Sequence, residues 1–526
     1  MRIALVSTPT RMEVPNSYPP MGCLYIASYL KSLPNHYDVT IFDEAKNRNS
    51  VNDIISELSD YSPDIIGISG IITAYKYIVE LIPNLKNAFP NIPIVVGGHV
   101  TLGDEMPELL LKSGCTYVMT GWGELKWEAL LDVIDGKGNL ESIDGLSFFK
   151  ESKVVTIINK DFKKIDLDDL PLPDYELIDM DYYTSINPPM SDEHLLRYLQ
   201  KTGKTLSNNK SFPVIGTRGC TDKCLFCVHE FGPYKGFKIS SIDKVIENIS
   251  LLYHNYNVKV FSIGEEMFLY NNRQAKEFAD NMNDLFPEAY FYVSTRADRI
   301  NPDLINILEK SNCYALLFGF ESGCNDILNI LLKKVTREQN INAYLCAYNS
   351  PIHITPSFII GTPGETDYTI NDTVNAILEA NIIDGGVFFT TPYPGSRLYN
   401  WAKENGYISD VDAYLREASN RNAFILSVNF TVYPDIIVRM MGVIIQNAFE
   451  KNKRKLGLKS SRTLTQRIKL ELVVPVTYRS YFIGRRLLGI FIKKYKIDTV
   501  PFSLNASGTL YTERDNFNKN NPNKSI

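Results

Sequence analysis

No apolar run in the 526 residues reaches the roughly 18 that a membrane-spanning helix needs. There is no basic excess either: the formal charge of −5 argues against a general nucleic-acid binder. The eight cysteines are too scattered for a disulfide framework in a chain this large, which points to a reducing, cytoplasmic setting. An apolar share of 44% and a charged share of 22% exclude a disordered or collagen-like polymer. The first residues, MRIALVSTPTRMEVP, lack a small-residue cleavage site and soon meet acids, so they read as a strand and not as a signal peptide. Length is what the chain does have. Single cores stop growing near about 250–300 residues, so two or three domains are expected.

Residues 1–140 alternate short β-branched runs with helix-period segments. Ile3–Val6, Val39–Phe42, Ile65–Ile68, Ile94–Val96 and Tyr117–Met119 read as buried strands, with helices between them. That alternation predicts a parallel, doubly wound, Rossmann-like sheet with a ligand crevice at the carboxyl ends of its strands. The loops at those ends are rich in glycine: Pro20-Met21-Gly22, Ser69-Gly70, Gly97-Gly98-His99 and Gly121-Trp122-Gly123-Glu124. Glycines there let backbone approach a bulky ligand, and they equally make tight turns. No G-x-G-x-x-G follows the first strand, which disfavours a dinucleotide. Residues 141–205 read as a β-hairpin followed by a proline-stiffened linker through Asp166–Pro173.

The chemistry concentrates in a central domain, residues 206–405. There Cys220, Cys224 and Cys227 stand in the spacing C-x3-C-x2-C. Zinc sites commonly use four ligands from paired C-x2-C or Cys/His sets, and this chain has no second pair. Three thiolates on one tight loop match a [4Fe-4S] cluster with one iron left open. A zinc site completed by His229 and a chance clustering of cysteines are the alternatives. Six strand-like runs from Phe212 to Thr390 alternate with helix-like segments around this loop.

The C-x3-C-x2-C motif, with an aromatic before its last cysteine, resembles the signature of the radical S-adenosylmethionine (radical SAM) superfamily. The N-terminal loops are similar to those of its cobalamin-binding-domain branch, the one that includes the magnesium-protoporphyrin ester cyclase and the P-methylases. Gly319-Phe320-Glu321-Ser322, Gly361-Thr362-Pro363-Gly364-Glu365 and Pro392-Tyr393-Pro394-Gly395 continue the likeness, which covers roughly residues 1–405. The resemblance implies an α/β chain with an N-terminal doubly wound cobalamin-binding domain, a central partial (β/α)6 barrel and a mainly helical C-terminal region. It implies a [4Fe-4S] cluster on Cys220, Cys224 and Cys227, S-adenosylmethionine on its open iron, and an electron donor such as ferredoxin or flavodoxin. Gly97, Gly98, Gly121 and Gly123 would line the cobalamin site. Phe226 would pack beside the adenine, or be an ordinary core residue. Gly264, Glu265 and Glu266 would hold the methionyl amine, or form a solvated loop. Arg296 would fork onto a carboxylate, or form a structural ion pair, and Glu321 and Ser322 would face the ribose or the methionyl group. The Asp-x-His-x-x-Gly motif that supplies a cobalt-binding histidine elsewhere is absent, since Asp43 is followed by Glu44-Ala45-Lys46. The implied reaction is methylation of an unactivated carbon. Radical cyclisation or carbon–carbon coupling is the alternative within the class, and a non-catalytic iron–sulfur or corrinoid-binding protein is the alternative outside it. The catalytic residues and the substrate are not legible.

The last segment, residues 406–526, carries no motif but an uneven charge. Between Lys451 and Lys496 stand 14 Lys or Arg and a single acid, Glu471, a net of +13 against −18 for the rest of the chain. Basic and apolar residues share the same predicted helices, Ile436–Phe449, Leu464–Leu472 and Tyr481–Tyr495. That pattern suits a helix at an anionic membrane surface and an amphiphilic or lipid substrate. It equally suits a lid whose basic face meets an acidic barrel rim. Asn516–Ile526 reads as a disordered tail.

Overall fold

A computed structural model describes residues 1–11, 18–35, 37–230, 237–263, 267–419, 423–460, 462–495, 502–504 and 510–512. The expectations for Gly264, Glu265, Glu266 and Asn516–Ile526 lie outside the described residues. The first sheet has the order β2 (Asp38–Asp43), β1 (Arg2–Ser7), β3 (Ile65–Ser69), β4 (Ile94–Gly97), β5 (Tyr117–Met119), β6 (Leu146–Lys150), β7 (Lys153–Thr156). β1 to β5 are parallel, while the hairpin β6–β7 extends the sheet antiparallel. Alternation along β1 shows why both faces need covering. Ala4 and Val6 join the core formed with Ile66, Ile68, Ile78 and Ile82. Ile3 and Leu5 join the opposite core with Val95, Trp127 and Leu130. β1 lies between β2 and β3, so strand order reverses there and the crevice opens at its carboxyl end.

The second sheet runs β15 (Gly386–Phe389), β14 (His353–Ile360), β13 (Cys313–Glu321), β12 (Tyr290–Thr295), β11 (Val260–Ile263), β8 (Ser211–Val214). All its pairings are parallel, and β8 and β15 stand at its two edges, which makes it a half-barrel. Helices such as Ile242–Asn255 and Asn272–Leu285 cover its outside through Ile249, Leu252, Phe278 and Met282. The three-cysteine loop emerges from β9 (Thr217–Gly219), which pairs antiparallel with β10 (Phe237–Ile239). The pairing of β13 with β14 shifts register between Gly319 and Glu321, and Glu321 takes a left-handed φ of 60°. Such irregularities re-aim side chains at the end of a strand.

The C-terminal region is helical, as expected, with different bounds. The helix Asp435–Lys455 buries Met441, Ile445 and Phe449 against the β14–β15 side of the half-barrel. Gly442 lets it approach Ile360. The separate segments predicted at Leu464–Leu472 and Tyr481–Tyr495 are one continuous helical stretch. It runs through Leu464–Arg467, a π-helical Ile468–Val473 and Val474–Tyr495.

Candidate functional site: a thiol loop facing a glycine-lined cleft

The cysteine loop is held by backbone before any ligand is considered. Leu225 donates its N–H to the carbonyl of Leu331 (2.9 Å) and accepts one from Leu398 (3.0 Å), so the loop is clamped between two helical segments. The Cys227 N–H turns back onto the Cys224 carbonyl (3.1 Å). Cys224 is buried, and Cys220 and Cys227 are half-buried. Burial pushes the Cys224 thiol up, while the nearby Lys333 and Arg296 cations pull the other way. Cations beside the loop suit a group that needs thiolates and carries negative charge.

Those cations sit in a buried network. Lys333 Nζ lies 2.7 Å from Glu321 Oε1, both side chains being under 10% exposed. Arg296 Nε reaches Asp222 Oδ2 at 3.3 Å and Asp298 Oδ1 at 3.0 Å, and its Nη2 donates to the Lys333 carbonyl at 3.0 Å. Asp222 lies inside the C-x3-C spacer, so Arg296 ties the loop to the end of β12. Beyond β14, Glu365 is fully buried and accepts the N–H groups of Gly361 (2.7 Å) and Thr362 (3.3 Å). Burial pushes its carboxyl up to about 7. The helix that follows is capped instead by Thr366 with Thr369, so Glu365 braces its own turn and is not the helix cap.

Facing this loop is a cleft of about 390 Å³ at the carboxyl ends of β1, β3, β4 and β5. Gly97, Gly98, Gly121 and Gly123 all line it, with Tyr18, Ser69, Trp122 and Glu124. A Cβ on Gly97 would meet nothing nearer than the Met119 carbonyl at 3.7 Å, so that backbone is open to the cleft. Gly98 differs: its φ is 85° and a Cβ would fall 2.6 Å from the Gly70 carbonyl. The far wall belongs to the second domain: Thr217, Arg218 and Gly219, the strand that enters the cysteine loop, and His229, which leaves it. Arg218 Nη2 lies 2.7 Å from Glu124 Oε1, and its guanidinium sits over the Tyr25 ring. Glu124 Oε2 is buried with no hydrogen-bond partner. The rings of His99 and His229 meet edge to face across the cleft, 6.4 Å between centroids.

A B12-binding-domain model matches residues 8–131, and a radical SAM superfamily model matches residues 214–377. The chain carries a B12-binding domain followed by a radical SAM domain. An uncharacterized methyltransferase of Pyrococcus horikoshii is 28% identical over 78% of this chain and 84% of its own length. The anaerobic magnesium-protoporphyrin IX monomethyl ester cyclase of Rubrivivax gelatinosus is 23% identical over 76% of this chain and 69% of its own length. Among solved structures, the cobalamin-dependent radical SAM enzyme OxsB with aqua-cobalamin and S-adenosylmethionine bound shares the fold at a TM-score of 0.60 and 16% identity. That likeness covers 87% of this chain but 62% of OxsB. The methyltransferase TsrM of Kitasatospora setae, with cobalamin and [4Fe-4S] cluster bound, gives a TM-score of 0.60 at 15% identity. It covers 77% of this chain and 78% of that one.

A radical SAM domain brings a [4Fe-4S] cluster and S-adenosylmethionine as cofactors, and a B12-binding domain brings cobalamin. The residues present fit them: three thiols on one loop with cations behind, and a glycine-walled cleft holding an orphaned carboxylate oxygen. Of the residues singled out by sequence, the four cleft glycines lie together, and Arg296 and Glu321 meet in the network behind Cys224. Phe226 is half-buried and packs among Leu225, Ile330, Ile327 and Leu331. Ser322 lies 1% exposed, its hydroxyl within hydrogen-bond reach of Thr373 and accepting from the Cys324 N–H. Arg218, Asp222 and Lys333 were missed. Arg218 and Asp222 flank the motif cysteines and were readable as charges that must be paired. Lys333 had no local signal, because only the turn after the helix Asn325–Ile330 brings it to Glu321.

Proposed function

We propose that the chain is a cobalamin-dependent radical SAM methyltransferase of unactivated carbon. One observation carries the reading: the glycine-lined cleft and the three-cysteine loop share a wall, Thr217-Arg218-Gly219, so a corrin in the first and a cluster on the second would face one chamber. Relatives named as methyltransferases, including the cytidylyl-2-hydroxyethylphosphonate enzyme of Streptomyces wedmorensis and the bacteriochlorophyllide d enzyme of Chlorobaculum tepidum, support it. Cys220, Cys224 and Cys227 hold the cluster, and Gly97, Gly98, Gly121 and Gly123 admit the corrin edge. When bound, these groups supply a carbon-centred radical from S-adenosylmethionine and a transferable methyl group. The chain's own residues orient and exclude water: Arg296 and Asp222 hold the loop, Lys333 offsets its charge, and Glu124 with Arg218 keeps the two walls in register. Incubation under anaerobic conditions with methyl-labelled S-adenosylmethionine and a strong reductant tests this. 5′-Deoxyadenosine together with a product heavier by one labelled methyl supports transfer. Deoxyadenosine with a product that has only lost hydrogen supports radical cyclisation or carbon–carbon coupling instead.

The substrate is amphiphilic, and the C-terminal helix presents the chamber to a membrane surface. Ile468, Leu472, Val473, Val476 and Ile483 are each at least half exposed, interleaved with Arg467, Lys469 and Arg479. The one acid of this segment, Glu471, is taken by Arg454 and Arg462. On the inner side Tyr478 and Phe482 are buried, and Arg486 pairs with Asp367 beside the Glu365 turn, at the carboxyl end of β14. No helix among the described residues is long and apolar enough to cross a membrane, so contact would be peripheral. Co-sedimentation with phosphatidylglycerol vesicles but not phosphatidylcholine vesicles is expected, and recovery with neither, or equally with both, would remove this part of the proposal.

A further inference from the structure

At the end of the half-barrel away from the cysteines, three metal-competent side chains meet that the site above does not use. His194 is the second residue of the helix Glu193–Thr202, where the Asp192 carboxylate accepts the His194 backbone N–H at 2.9 Å. His353 is the first residue of β14, and Asp384 lies just before β15. One donor atom from each lies within 4.8 Å of the others. His353 Nε2 stands 2.8 Å from Asp384 Oδ1, and Arg197 Nη1 reaches the other carboxylate oxygen at 3.1 Å. The two imidazoles stack, with centroids 4.0 Å apart and planes 10° apart. His194 Nδ1 is buried without a hydrogen-bond partner.

A buried polar nitrogen left without a partner costs about 1–3 kcal/mol, and such atoms commonly mark a missing water or ion. Two imidazoles and a carboxylate are the ligand set of a zinc-class ion, with a fourth position left for water. Arg197 on the far oxygen fixes the carboxylate and leaves Oδ1 toward the rings, the usual part of an outer partner.

We propose that His194, His353 and Asp384 form a structural site for a divalent transition-metal ion of the zinc class, tying the helix Glu193–Thr202 to the floor of the half-barrel. Stacked rings carry their lone pairs side by side, so loading turns one ring edge-on and ends the stack. Bonds of about 2.1 Å also draw the donors to within roughly 3.5 Å of each other, so the cluster contracts. The site lies at the amino-terminal ends of β14 and β15, away from the chamber, and its part is stability rather than turnover.

The test uses the anaerobically purified holoenzyme, washed with chelator and then equilibrated with zinc sulfate. Zinc, iron and cobalt are counted in one sample by mass spectrometry, and Tm is followed alongside. Stoichiometric zinc beyond the iron and cobalt, with a raised Tm, is expected. His194→Gln forfeits no hydrogen bond at Nδ1, and it should weaken zinc binding by more than roughly tenfold with iron and cobalt content unchanged. Asp384→Asn should do the same. Wild-type holoenzyme that takes up no stoichiometric zinc overturns the proposal, as does His194→Gln protein that binds zinc as tightly as wild type. Because iron and cobalt are counted separately, failure here is distinguishable from failure of the cluster or corrin assignment.

Discussion

Single side chains behind the cysteine loop carry large electrostatic stakes. Removing one partner of a buried ion pair leaves an uncompensated charge and costs about 3–5 kcal/mol. Lys333→Met should therefore destabilise the fold by that order and lower the iron content of reconstituted protein, because Lys333 also favours ionisation of Cys224. The double variant Lys333→Met/Glu321→Gln should recover most of the stability but not the iron, which denaturation and iron analysis would show. Glu365 gives a pH signature. Its folded pKa, about 7, lies above the ordinary glutamate value of about 4.5, so the folded state binds the proton more tightly. That contribution is full below about pH 4.5 and is lost as pH rises through 7. Glu365→Gln keeps an acceptor for Gly361 and Thr362 and cannot ionise. Its stability relative to wild type should rise across that window, by at most about 3 kcal/mol. A flat difference across pH in denaturant titrations would count against it.

At the scale of elements, the turn after β4 separates two demands that look alike in sequence. Gly98 sits at φ 85° against the Gly70 carbonyl, so Gly98→Ala strains the backbone itself and should lower Tm. Gly97 has room for a methyl group, so Gly97→Ala should keep the wild-type Tm yet weaken cobalamin binding, since the new atom enters the cleft. Equilibrium dialysis beside a thermal melt distinguishes the two. On the C-terminal helix, Leu472 and Val476 are among the most exposed apolar side chains of the described residues. Leu472→Asp/Val476→Asp should leave Tm unchanged and abolish recovery with anionic vesicles, by losing apolar contact and adding like charge to the lipid.

For the molecule as a whole, side chains pin the first domain to the linker, to the C-terminal region and to the half-barrel domain. Tyr183 donates to Asp43 at 2.6 Å, Tyr75 to Asp412 at 2.6 Å, and Lys403 pairs with Glu105. The Arg218–Glu124 bridge is the pin that lies in the chamber, with Glu124 only 3% exposed. Arg218→Met should cost about 3–5 kcal/mol by stranding that carboxylate, and the protein should release cobalamin faster. Arg218→Met/Glu124→Gln should restore stability in urea titrations while retaining the faster release, because wall register and not charge alone sets the chamber.

The sequence by itself determined the strands, the two kinds of domain and the three thiols. Period-two and β-branched patterns are local, and C-x3-C-x2-C is a short-range chemical signature. It also marked the cleft glycines, because turns after strands demand them. Tertiary structure decided what each charge does. Arg296 and Glu321 were legible as charged residues at strand ends, but whether they face a ligand or an ion partner depended on Asp222 and Lys333 arriving from other loops. His194, His353 and Asp384 stand far apart in the chain and share no motif, so only the pairing of β14 with β15 and the docking of the helix Glu193–Thr202 on the half-barrel could bring them together. The Glu124–Arg218 bridge depended likewise on how two domains dock, for which one-dimensional spacing has no counterpart.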